Sequence, residues 1–191
     1  MKVSVYIATT LDGFIARDNG ELDWLPGSDG AVPADSENED FGFNAFMRSI
    51  DVLVMGRKTY ELVISAGVWP YGDKRVIVLS KTLPKLSDDI PNTVELRSES
   101  PGDLCDELKN SGAMHLYVDG GKTIQGFLNS GLIDEIIITR VPVLIGTGIP
   151  LFGPLNNDKC LNHIETQTYK NGFVQTKYEV VNACRQAPEP A

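Results

Sequence analysis

Two short stretches carry a glycine, a basic residue and a hydroxyl in the same order: Gly56-Arg57-Lys58-Thr59 and Gly120-Gly121-Lys122-Thr123. Each follows an apolar run that reads as a strand and opens a pattern that reads as a helix. In the second, Leu116, Tyr117 and Val118 lead in, and Ile124, Phe127 and Leu128 mark one buried helix face. A helix start leaves N–H groups without partners, so it favours an anion, and a phosphate suits both junctions. The alternative is a tight strand-to-helix turn that needs positive φ. A third apolar run ends in Ser80-Lys81-Thr82. Ligands of open α/β sheets bind beyond the carboxyl ends of the strands. Arg57, Lys58, Lys81 and Lys122 therefore fall on one sheet edge. In a chain of net charge −9, that collection points to a multiply phosphorylated ligand.

Other chemistries lack their residues. A P-loop needs a glycine where Leu116 stands. The G-x-G-x-x-G dinucleotide fingerprint is absent, as is the H-x-E with P-C-x-x-C of zinc deaminases. His115 and His163 lie in expected strands, so no Ser–His or metal constellation is visible. The acidic balance excludes the phosphate-neutralising term of nucleic-acid binding and disfavours anionic membrane surfaces. Cys105, Cys160 and Cys184 are widely spaced and odd in number, which indicates neither a disulfide framework nor a zinc site and fits a reducing compartment. No apolar run reaches membrane-spanning length and the first residues are too polar for a signal peptide, so a cytoplasmic location is expected.

The elements that position these groups alternate. Val3, Val5 and Ile7 mark a first strand, central in the sheet. Residues 41–50 read as a helix, 52–55 as a strand buried on both faces, 75–80 as the next strand and 93–96 as a short one. Ser100, Pro101 and Asp103 start a further helix. Residues 133–143 read as a long strand. Residues 161–169 and 173–181 alternate around Asn171-Gly172, a hairpin signal. The expected fold is α/β, with a mainly parallel sheet and an antiparallel C-terminal hairpin, in one domain over residues 1–182 and a disordered tail from Ala183. Residues 17–40 form a long acidic loop whose apolar island, Trp24-Leu25-Pro26, is either a lid or an anchor.

As a set, the segments 52–61 (VLVMGRKTYE), 76–83 (VIVLSKTL) and 116–128 (LYVDGGKTIQGFL), with IATTLDGFIA near the start, resemble the dihydrofolate-reductase-like superfamily. Residues 133–153 resemble most the reductase domain of the bifunctional riboflavin deaminase-reductase. The resemblance implies a three-layer fold and NADPH as hydride donor. It implies that Gly56, Arg57, Lys58 and Thr59, with Ser80 and Lys81, hold the adenosine 2′-phosphate side. It gives the pyrophosphate to Gly120, Gly121, Lys122, Thr123 and Ile124, with a cis peptide between the glycines. Ala8, with Thr9, would lie by the nicotinamide amide. Trp24 and Thr139 would face the substrate. Asp40 is the acid candidate for the proton that reduction requires; its other reading is a plain helix cap. The activity implied is reduction of a pyrimidine or pteridine-like heterocycle. First choice is the ribosylaminouracil phosphate of riboflavin synthesis, second is dihydrofolate, and the alternative is a non-catalytic NADPH-binding module. A homodimer is expected from the hairpin and its exposed edge, with no nucleic acid and no membrane as partner.

Overall fold

The computed structural model describes residues 1–25 and 40–181. Residues 26–39, with Pro26 and Glu39, and residues 182–191, with the tail from Ala183, lie outside the described residues. In chain order the elements are Lys2–Thr10 (β1), Phe14–Ala16 (β2), Phe43–Ser49 (α1), Val52–Gly56 (β3), Arg57–Ser65 (α2), Arg75–Leu79 (β4) and Val94–Arg97 (β5). Then follow Pro101–Asn110 (α3), His115–Asp119 (β6), Gly121–Asn129 (α4), Glu135–Val141 (β7), Ile149–Pro150 (β8), Cys160–Thr168 (β9) and Val174–Val181 (β10).

Eight strands form one sheet in the order β5-β4-β3-β6-β1-β7-β10-β9. All pairs from β5 to β7 are parallel, and β10 and β9 add antiparallel neighbours. β1 sits within the sheet between β6 and β7, the central place expected of it. On one face, Leu104 and Leu108 of α3 and Ile124, Phe127 and Leu128 of α4 pack on Val3, Val5, Val54, Leu116 and Val118. On the other, Phe46 of α1 and Tyr60 of α2 pack on Leu53, Met55, Val78, Tyr117 and Ile137. The result is three layers. Each fully buried Leu, Ile or Phe contributes about 1.5–3 kcal/mol relative to its exposed state. A separate two-stranded sheet pairs β2 with β8.

Three expectations need correction. The strand expected over 133–143 spans Glu135–Val141, because Pro142 has no N–H to donate. The helix expected over 41–50 starts at Phe43, because Phe41 and Gly42 take φ of 53° and 85°; it ends where Lys74 Nζ donates to the Met47 and Ile50 carbonyls. The cysteine spacing indicates no disulfide framework and fits a reducing compartment, yet Cys160 is disulfide-bonded. The spacing argument for a reducing compartment therefore falls. Cys105 is a buried free thiol.

Candidate functional site

The two glycine–threonine junctions face each other across adjacent strands, since β3 pairs with β6. Gly56 leaves β3 and Gly120 leaves β6 side by side. A Cβ on Gly56 would meet the Thr123 hydroxyl at 2.5 Å, and a Cβ on Gly120 would clash with the Thr59 hydroxyl. Each threonine thus lies against the other junction's glycine. Gly120 also needs its φ of 89°. Among the described residues no peptide is cis, so the cis bond implied between Gly120 and Gly121 is not present.

The helix starts differ in a telling way. α3 is capped by Ser100, which accepts from the Asp103 amide, and has an acid in its first turn. α2 and α4 have no side-chain cap and no acid in the first turn. Their first N–H groups and the positive end of the dipole remain for an anion at the sheet edge.

The basic residues divide. Arg57 reaches across to the end of β4, its Nη1 3.2 Å from Thr82 Oγ1, while its Nε donates to Glu61 at 2.6 Å. Ser80 Oγ accepts from the Thr82 and Leu83 amides and holds that turn. Lys58 is 92% exposed at its side chain and pairs with Glu61 at 3.4 Å. Lys81 and Lys122 are exposed. A groove of about 420 Å³ opens beside Ser80 and Lys81, bounded by Leu96, Arg97 and Glu99 at the end of β5.

β2 and β8, which follow the turn after β1 and the glycine-rich loop, close over Gly121. A Cβ there would meet Ile15 at 2.8 Å and the Pro150 carbonyl at 3.5 Å. Asp12 fastens the two segments. Its carboxylate accepts from Thr10 Oγ1 at 2.5 Å and from the Ile145 and Gly146 amides at 3.1 and 2.8 Å. These bonds, the Thr10 hydroxyl first, hold its pKa below the ordinary value. The sequence shows Asp12-Gly13 only as a turn; the partner loop lies more than 130 residues away.

On the other face of β1, Thr139 lies opposite Ala8 in register. Its buried Oγ1 accepts from Gln175 Nε2 at 3.0 Å. Trp24 is 7% exposed and packs with Val141, Tyr169 and Phe173, beside Ala8 and Phe41. That seats it as an anchor at the strand ends, and its buried indole N–H has no hydrogen-bond partner. Asp40 accepts from the Gly42 and Asn44 amides at 3.0 Å each and so caps the approach to α1. Those amides hold its pKa low. Gln175 and Tyr6, absent from the sequence reading, join Thr139 and Phe41 in one hydrogen-bonded cluster.

A further unforeseen residue is Asp119, the last residue of β6. It stands immediately before Gly120-Gly121 and near Tyr117 and Tyr71, and no salt bridge reaches it among the described residues. Burial pushes its pKa up to about 6 against the pull of the Gly120 amide and the Tyr117 hydroxyl. The signal in the sequence was a carboxylate next to the glycine pair, in step with Tyr117.

Contrary to the sequence reading, a Ser–His contact exists: Ser4 Oγ lies 2.8 Å from His115 Nε2. The acid, Glu135, bonds to Ser4 at 3.1 Å and not to the imidazole, whose Nδ1 faces Ser49. Ser4 is fully buried. The trio ties strand starts together, at the opposite end of the sheet from Gly56 and Gly120. No group of residues suited to a metal ion occurs among the described residues, and no helix there is long and apolar enough to cross a membrane.

Known proteins share this frame. A crystal structure from Shewanella sp. PV-4, provisionally assigned to riboflavin biosynthesis, superposes with a TM-score of 0.87 at 42% identity, covering 95% of this chain and 100% of that one. The bifunctional deaminase and 5-amino-6-(5-phosphoribosylamino)uracil reductase of Thermotoga maritima gives 0.67 at 15% identity over 94% of this chain and 56% of its own, which shows the fold. The Bacillus subtilis protein YwjB is 34% identical over 84% of this chain and 87% of its own. The riboflavin biosynthesis protein RibD of Corynebacterium ammoniagenes is 27% identical, and the match spans 47% of its length. These relatives support a reductase-like function and the dihydrofolate-reductase-like fold. The family model for the RibD C-terminal domain matches residues 1–175, and the chain belongs to that family.

Proposed function

We propose that the protein is an NADPH-dependent reductase of a pyrimidine or pteridine-like heterocycle, of the 5-amino-6-(5-phosphoribosylamino)uracil reductase type. One observation carries the reading. The uncapped, acid-free starts of α2 and α4 interlock at Gly56, Thr59, Gly120 and Thr123, and Arg57 bridges from the same place to the end of β4. An extended ligand with several phosphates would use all three strand ends. The residues fit NADPH in this arrangement. Gly120, Gly121, Lys122, Thr123 and Ile124 would hold the pyrophosphate. Gly56, Arg57, Lys58 and Thr59, with Ser80 and Lys81, would hold the 2′-phosphate side, and Ala8 the carboxamide.

The bound cofactor would supply hydride; the chain supplies alignment and electrostatics. In this reading Thr139 would face the substrate, while Trp24 serves as the buried anchor beside Ala8. Of the two acids, Asp40 is committed to backbone amides and held ionised, so it fits a cap or an electrostatic contact. Asp119, its pKa raised to about 6, stands before Gly120-Gly121 and takes no proton-transfer role in this reading. The bare edge of β9 suits a homodimer.

The test is direct. NADPH should raise the melting temperature, and its absorbance should fall when the ribosylaminouracil phosphate is added. Replacing Arg57 or Lys81 should weaken NADPH more than NADH; equal loss would remove them from the 2′-phosphate. An absence of NADPH binding would sink the whole reading.

A further inference from the structure

One hydroxyl proton at the strand starts faces two acceptors. Ser4 Oγ lies 2.8 Å from His115 Nε2 and 3.1 Å from Glu135 Oε1. A serine has a single proton to give. The partners of the other ring nitrogen leave it no choice. His115 Nδ1 lies 3.1 Å from the Ser49 carbonyl, which can only accept, so Nδ1 carries a proton. The Ser49 hydroxyl, 3.3 Å from Nδ1, gives its own proton to the Phe46 carbonyl at 2.7 Å.

Two arrangements satisfy this geometry, and they differ by one proton. With a neutral ring, Nε2 holds a lone pair and takes the Ser4 proton. Glu135 is then left to Lys2 at 2.9 Å and Lys177 at 3.2 Å. With an imidazolium, Nε2 donates to Ser4 Oγ, and the Ser4 proton turns to Glu135. A continuous chain of hydrogen bonds then runs from the end of α1 through β6 and β1 to β7. Ser4 is fully buried and Glu135 is 9% exposed, so water does not replace the missing contact.

The charges around the ring oppose one another. Burial acts most strongly against a second proton, and Lys2, the register partner of His115 on β1, adds to it. The Ser49 carbonyl, Glu135 and Asp51 favour the second proton. The Asp51 carboxylate accepts from the Met114 and His115 amides at 2.7 and 2.8 Å and feels Lys74. Lys177 of β10 also approaches Glu165 of β9 at 4.0 Å. The balance keeps the His115 pKa below its ordinary value, so the neutral ring is the state at neutral pH.

We propose that Ser4 is a proton-operated switch at the base of the sheet: its hydroxyl donates to neutral His115 and turns to Glu135 when the imidazole takes up a second proton. Lys2, Ser49, His115 and Glu135 also line a groove of about 560 Å³ beside α1. The same proton therefore adds a positive charge to that groove. The switch involves no cofactor and stands apart from the reductase reading.

The sequence holds two histidines, so His163→Gln leaves one imidazole to follow. Long-range proton–nitrogen correlation of that ring, recorded across pH, tests the switch. Above the midpoint Nδ1 should be protonated and Nε2 bare; below it both should be protonated. A neutral ring with its proton on Nε2, or a ring that takes up no proton before the protein unfolds, overturns the switch. Ser4→Ala removes one hydrogen bond from the neutral state and two from the charged one. The midpoint should therefore fall by about one pH unit, the equivalent of one hydrogen bond. Ser4→Thr, which keeps the hydroxyl, should hold the midpoint. A midpoint unchanged in Ser4→Ala, or lowered alike in Ser4→Thr, overturns the switch.

Discussion

The Thr59 hydroxyl occupies the space where a side chain on Gly120 would begin. The reciprocal pair, Thr123 and Gly56, repeats the contact from the other direction, but the two glycines differ. Gly56 has φ of −83°, which any residue can adopt, whereas Gly120 has φ of 89°. Gly56→Ala should therefore destabilise only through overpacking, by about 1–3 kcal/mol. Adding Thr123→Ala should recover most of that loss. Gly120→Ala should not be rescued by Thr59→Ala, because the backbone penalty remains. Urea unfolding of the two double-mutant cycles separates these cases. Equal rescue in both would show that the backbone angle carries no cost.

Asp12→Ala should release the loop before β8 from the turn after β1. Amide hydrogen exchange should speed up at Ile145, Gly146 and Leu151 and at Phe14–Ala16, while β3 and β4 stay protected. Asp12→Asn should keep part of the protection through its remaining carbonyl. If the Ile145 and Gly146 amides exchange at unchanged rates, the carboxylate is not what holds the loop.

The carboxylates make opposite contributions with pH. Asp12, Asp40 and Asp51 are held below their ordinary value by accepted hydrogen bonds, from the Thr10 hydroxyl at Asp12 and from backbone amides at the other two. Their contribution is present above about pH 4 and is lost as pH falls through their lower folded values. Asp119 is raised to about 6. Its contribution is present below about pH 4 and is lost as pH rises through 6. Asp119→Asn should therefore stabilise at pH 8, by no more than about 3 kcal/mol, and do little at pH 4. Chemical denaturation at the two pH values reads this; the same gain at both would mean that Asp119 does not titrate as described.

Glu61 holds Arg57 and also pairs with Lys58. It is an internal anion at the place proposed for a phosphate. Glu61→Gln should raise the affinity for NADPH while leaving NADH nearly unchanged, and the difference should shrink in high salt. Weaker NADPH binding in this variant would make Glu61 a positioning residue for the arginine.

Much of this architecture is local in the sequence and therefore legible there. Apolar alternation locates β1, the run at 52–55 locates a strand buried on both faces, and Asn171-Gly172 locates the hairpin. The proposed phosphate-binding edge follows because three strand ends carry lysine and hydroxyl in a short span, two of them after a glycine. What is illegible depends on distance in the chain. Nothing near Gln175 says that it will bond to Tyr6 and Thr139, and nothing near Asp12 names Ile145. Nor does composition reveal that Phe41 will be held left-handed, since the donors that hold it come from β1, from β10 and from just beyond β9.

The place of β1 between β6 and β7 also sets a timetable. Its partners are residues 115–117 on one side and 135–141 on the other. β1 leaves the ribosome well before either neighbour and so stands unpaired through much of synthesis, while β3 and β4, joined through α2, can pair early. Parallel pairings across such sequence separations form slowly, and the unpaired apolar strand is exposed while it waits. The centre of the finished sheet closes only after the strands on its β3 side have been made.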